Sequence, residues 1–114
     1  MTTFDTGRRA QAAAAAYLQQ RGFKVIGQNW RTRTCEIDVV AVKDKTMYFV
    51  EVKYRQTAAH GAGLQYVTPR KIAQMQFAGE SWVLEHKWPY DYRLAAAEVS
   101  GVRFAVTAFI DNVY

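Results

Sequence analysis

Small and apolar residues recur at helical spacing in Ala10, Ala13, Ala14, Tyr17 and Leu18, within a stretch dominated by alanine, the strongest helix former. Thr6 stands where an N-cap would sit and Gly22 where a helix C-terminus would be closed, so a first helix is expected over 8–20. The period then changes. Residues 23–26 read as a short strand ending near Gly27, and 35–42 and 47–54 are β-branched and aromatic runs around the polar Lys43-Asp44-Lys45-Thr46. Two such runs about a short polar loop predict a hairpin. Residues 56–66, with Gly61 and Gly63, read as loop. Thr68-Pro69 opens a second helix, with Thr as N-cap and Pro in the first turn, and Trp88-Pro89 closes it. Its apolar face is Ile72, Met75, Gly79, Trp82 and Val83. Residues 92–99 and 102–109 flank Ser100-Gly101, a dipeptide suited to a tight hairpin loop. The predicted order is α-β-β-β-α-β-β: an α/β fold of the α+β kind, with a central mixed sheet flanked by helices.

Size and composition narrow this further. At 114 residues, half of them hydrophobic, the chain is expected to form one domain (1–114) with a real core, which excludes the disordered class. Cys35 is the only cysteine, so an intramolecular disulfide is impossible. The first nine residues lack the apolar core of a signal peptide, and no apolar run approaches a bilayer span, so a cytoplasmic location without membrane is expected. The net charge of +5 fits a polyanionic partner and fits mere solubility equally well.

The chemistry concentrates in the central hairpin. With an even loop centred between Asp44 and Lys45, Phe49 pairs with Val40, Glu51 with Asp38, and Lys53 with Glu36. Alternation then places Glu36, Asp38, Glu51 and Lys53 on one face, and Ile37, Val39, Ala41, Tyr48, Val50 and Val52 on the other. Facing carboxylates repel. A divalent cation would offset that repulsion, since Mg²⁺ is commonly held by one or two carboxylates and completed by water and phosphate oxygens. Lys53 would share the face, positioned to stabilise charge on a phosphate. Cross-strand ion pairs are the plainer reading of the same residues. The apolar character of both strands, which implies a covered sheet, weighs against it.

Asp38, a dozen intervening residues, then Glu51-Val52-Lys53 resembles the signature of the PD-(D/E)xK superfamily of restriction-endonuclease-like nucleases, and the helix-first order matches that superfamily's core. More closely, the chain resembles the YraN-like family of small bacterial proteins, related to archaeal Holliday-junction resolvases. The likeness runs through Gly7, Asn29 with Arg31, Glu36-Ile37-Asp38, 49–55 and Lys71. It implies a restriction-endonuclease-like fold in which Asp38, Glu51 and the Val52 carbonyl bind Mg²⁺ or Mn²⁺. It also implies that Lys53 is the catalytic base or charge stabiliser, and that Gln11 and Glu36 are supporting residues. The partners then expected are nucleic acid, DNA in the first place, and a second copy of the chain. Three positions depart from the family: Gln11 replaces a glutamate, Cys35 a glycine, and Arg93-Leu94-Ala95 an Arg-Phe-Asp. These departures keep open a degenerate module that binds nucleic acid without cutting it.

Tyr54, Arg55, Arg70 and Lys71 are the remaining candidates for contacts with nucleic acid. Arg70 and Lys71 oppose the dipole at the start of the second helix, where a bound phosphate would explain them as well as simple solvation does. Tyr54 and Arg55 suit a phosphate or base contact, or a strand end. Cys35 with His60 or His86 lacks any feature that would orient a nucleophile, and there is no zinc pattern and no Gly-rich phosphate loop. Trp82 and Trp88 are expected in packing roles.

Overall fold

The computed structural model describes residues 2–57, 64 and 67–113. The greater part of the loop expected over 56–66, with Gly61, Gly63 and His60, lies outside the described residues. Helix α1 (Thr3–Gln20) starts at Thr3, not Arg8, and its N-cap is Thr2, not Thr6. The Asp5 N–H donates to Thr2 Oγ1, and the Asp5 carboxylate accepts from the Thr2 N–H, a reciprocal capping box. This first turn is exposed, so it carries no apolar periodicity from which the start could be read. Gly22, at φ +87°, ends the helix as expected. Its N–H donates to the Gln19 carbonyl and that of Phe23 to the Leu18 carbonyl, satisfying two carbonyls of the last turn.

Strand β1 (Lys24–Arg31) does not stop at Gly27; a bulge between Val25 and Gly27 leaves Ile26 unpaired, and pairing resumes with Gly27 opposite Val40. Strands β2 (Glu36–Lys43) and β3 (Thr46–Arg55) form the expected hairpin, with Asp44 and Lys45 at φ 51° and 62° in its two-residue turn and Val40 opposite Phe49. Helix α2 (Pro69–His86) is capped by Thr68 and stopped by a left-handed Lys87. Strands β4 (Tyr92–Ser100) and β5 (Ala105–Ile110) are joined by four residues, 101–104, and not by Ser100-Gly101 alone. Packing sets that longer turn. The Tyr54 hydroxyl donates to the Gly101 carbonyl, and its ring stacks on Phe104 at 4.9 Å between centroids.

The five strands lie in the order β1-β2-β3-β4-β5. Only β3 and β4 run parallel, because α2 carries the chain across between them. Helix α1 buries Ala10, Ala14 and Leu18 against one face, on Val39, Ala41, Tyr48, Val50, Ala95, Ala97 and Val99. Helix α2 buries Met75, Ala78 and Trp82 against the other, on Ile37, Val40, Met47, Phe49 and Leu94. At Gly79 a Cβ would come within 2.9 Å of Phe49 Cδ2 and 3.3 Å of Leu94 Cδ2, so α2 seats closely through a residue without a side chain. The result is the predicted mixed α+β sheet with one helix on each face. Among the described residues no helix is long and apolar enough to cross a membrane.

Candidate functional site

Strict alternation fails at Asp38. Ile37 belongs to the α2-side cluster with Val40, while Val39 and Ala41 belong to the α1 side. The reversal lies opposite Asn29, a left-handed residue (φ 59°) in β1 where the β1–β2 register has a gap. The β2–β3 ladder also ends at Val39↔Val50, so Asp38 and Glu51 are not the facing pair that an uninterrupted register predicts, nor are Glu36 and Lys53. Beyond that point the Val52 N–H donates to Asp38 Oδ2 at 2.8 Å. The Asp38 carboxylate has taken the acceptor role that a strand carbonyl would play. Gln11 of α1 donates through Nε2 to Asp38 Oδ1 at 3.3 Å.

Asp38 is the one described group whose ionisation is resolved as displaced: its pKa rises from 3.8 to about 7. Burial is the largest cause and the neighbouring Glu51 charge the second; Glu36 adds to the rise. The Val52 hydrogen bond and Lys71 oppose it. Glu51 faces α2, where its Oε2 lies 3.0 Å from Lys71 Nζ. Together with Thr34, Cys35, Glu36 and Met75 this pair lines a cleft of about 260 Å³. Glu36 pairs with Arg31 at 3.2 Å, well exposed. Lys53 is exposed and makes no hydrogen bond or ion pair among the described residues, so neither carboxylate holds its ammonium.

Of the candidates for contact with nucleic acid, Arg70 is exposed in the first turn of α2, while Lys71 is committed to Glu51. Tyr54 holds the β4–β5 turn. Arg55 Nε donates to Glu98 Oε2 at 2.9 Å, and Glu98 is 3% exposed. Glu98, which also accepts from Thr107 Oγ1, is a residue sequence reasoning missed. Its signal was there: a single carboxylate in the otherwise apolar run Leu94-Ala95-Ala96-Ala97-Glu98-Val99. Of the two histidines, His86 stacks on Trp82 at 4.0 Å, its Nδ1 close to the Trp82 carbonyl, and takes no part with Cys35.

Does this arrangement suit a divalent cation? Two carboxylates whose charges disfavour each other and a buried amide oxygen, Gln11 Oε1, with no hydrogen-bond partner among the described residues are a hard-oxygen donor set of the kind Mg²⁺ and Mn²⁺ take. Among the described residues no three Asp, Glu, His or Cys side chains converge, so the protein would supply two charges and neutral oxygens. The donor chemistry fits, with Asp38, Glu51, Gln11 Oε1 and the Val52 carbonyl as the groups that would hold the ion.

A family model described as "Uncharacterised protein family UPF0102" matches residues 10–109. A UPF0102 protein of Cytophaga hutchinsonii is 31% identical over 106 residues, 93% of this chain and 94% of that protein. One of Leifsonia xyli subsp. xyli is 40% identical over 78 residues, 68% of this chain and 66% of its own length. One of Prosthecochloris aestuarii is 46% identical over 67 residues, 59% of this chain and 53% of its length. The aligned stretch thus spans nearly all of the first relative and less than two thirds of the last two.

Proposed function

The chain belongs to the uncharacterised protein family UPF0102, and from that premise we propose that it is a divalent-metal-dependent, endonuclease-like protein acting on nucleic acid, DNA in the first place. One observation carries the reading: a half-buried Asp38 carboxyl, its pKa pushed up to about 7 by burial and by Glu51, beside a Gln11 Oε1 that has no hydrogen-bond partner among the described residues. Ionisation displaced by desolvation together with a specific charged neighbour is a mark of a functional-site candidate. Asp38 and Glu51 would hold Mg²⁺ or Mn²⁺, with the Val52 carbonyl and Gln11 Oε1. The bound ion would activate water and neutralise charge on the reacting phosphate. Val52 and Gln11 orient the Asp38 carboxylate through its two oxygens. Lys53, two residues beyond Glu51 and free at the surface, meets the phosphate that arrives. Branched DNA as the preferred form rests on the resolvase resemblance, and a cytoplasmic location accords with the same reading.

A second reading has its own observation. Lys71 already neutralises Glu51 at 3.0 Å, and Gln11 brings no charge, so the site resembles one that binds nucleic acid without turnover. One assay separates the two: labelled branched, duplex and single-stranded DNA incubated with Mg²⁺ or Mn²⁺, beside Lys53→Ala. The nuclease reading expects slow cleavage that requires the metal and falls at least a hundredfold in the variant, roughly the scale of losing one charge-stabilising group. Binding without cleavage by wild type and by Gln11→Glu would leave the binding module.

A further inference from the structure

The two flanks of Asp38 differ in charge. On the α2 flank the cleft carries Glu36 and Glu51, with Lys71 paired to Glu51. On the α1 flank a second groove, about 160 Å³, is lined by Phe4, Gly7, Arg8, Gln11, Asn29 and Arg31; Arg31 is paired with Glu36 at 3.2 Å, so Arg8 is the groove's cation without an ion pair among the described residues. Gln11 belongs to this groove and also bonds Asp38, so the groove leads directly to the site.

Gly7 is the informative residue. It lies inside α1, where glycine is the poorest helix former after proline, yet a Cβ placed on it would meet nothing within 4 Å. Packing within this chain does not require glycine there, whereas a ligand lying against the helix backbone would. Phe4 is 63% exposed, with the Arg8 guanidinium 5.0 Å from its ring centroid, an aromatic platform beside a cation at the groove's outer end. Asn29 holds a left-handed conformation within a strand, a strain that concentrates at ligand sites.

Resting on the proposed function above, we propose that this groove takes a single-stranded segment of nucleic acid leading to Asp38. An unpaired base stacks on Phe4, the sugar-phosphate chain lies against the bare Gly7 backbone, and Arg8 meets its phosphates, with Arg31 joining it by exchanging Glu36 for a phosphate. Stacking on Phe4 needs a base whose face is open, so the substrate class is nucleic acid with unpaired nucleotides beside the site. Stacking on an aromatic ring tolerates any base, so the preference is for strandedness, not sequence.

The test uses fluorescence anisotropy of the full chain with a labelled single-stranded DNA and with a blunt duplex of the same sequence. Wild type should bind the single strand more tightly. Phe4→Ala should weaken that binding roughly tenfold, the scale of one lost stacking contact, and leave the duplex nearly unaffected. Gly7→Leu should do the same by filling the groove. Gly7→Ala should raise Tm while still weakening single-strand binding, an opposition that a structural role for Gly7 would not produce. Unchanged single-strand affinity in Phe4→Ala and Gly7→Leu, with DNA still bound, would overturn the groove and leave the proposed function standing. Failure of wild type to bind either DNA would overturn both.

Discussion

Asp38 shows how far a single residue's environment can depart from its position in the chain. Folding places its carboxyl where the neutral form is favoured, so its pKa in the folded state, about 7, lies above the unfolded value of 3.8. The folded protein therefore holds more protons between those values, and the associated stability is fully present below about pH 4 and lost as pH rises towards 7. Asp38→Asn removes that dependence while keeping an oxygen for the Val52 N–H. In urea denaturation without divalent cations, the variant should gain on wild type between pH 5 and pH 8, by about 2–3 kcal/mol. A difference that does not change with pH would mean the carboxyl is charged throughout. Adding Mg²⁺ at pH 8 should raise the Tm of wild type and leave the variant unchanged, because only wild type would gain by pairing a buried carboxylate with the ion.

At the scale of elements, the ends are decided by polar details and the contacts by size. The alanine-rich face of α1 is visible in sequence, but its start depends on Thr2 and Asp5, which bury nothing. The face of α2 is equally visible. How closely α2 approaches the sheet depends on Gly79, whose role appears only when Phe49 and Leu94 are placed beneath it. Gly79→Ala would gain about 1 kcal/mol in helix propensity, yet its methyl would enter 2.9 Å from the Phe49 ring. The contact should prevail: a net destabilisation of about 1–2 kcal/mol, read from thermal or chemical melts, follows from overpacking a filled core. A rise in Tm would show that α2 shifts outward at little cost.

For the molecule as a whole, the charge of +5 is useful to a polyanion only where cations are free. Arg70 is exposed and makes no ion pair among the described residues; Arg55 is held by the buried Glu98. If duplex DNA binds, each neutralised phosphate contributes about −0.9 to the slope of log K against log salt, so Arg70→Ala should make the slope shallower by about one unit. Arg55→Ala should leave the slope as it is and cost on the order of 3 kcal/mol of stability, because the buried Glu98 would lose its partner. Equal effects of both substitutions on the slope would place Arg55 at the nucleic-acid surface after all.

Periodicity, caps and turn chemistry are local, and local information settled much of this protein: two helices, five strands in order, the turn at Asp44-Lys45, and the concentration of acidic and basic side chains in the central hairpin. The resemblance to a family was also legible, because it rests on the order and spacing of residues. Tertiary structure decided what depends on neighbours distant in the chain. The bulge at Gly27 and the left-handed Asn29 accompany the break in alternation at Asp38, so the carboxylate meets Val52 and Gln11 rather than standing opposite Glu51. Lys71 and Arg55 found carboxylates on other elements, Glu51 and Glu98, and so left the set of free cations. A side chain's charge is written in the sequence, but its partner and its desolvation arise only when the chain closes on itself.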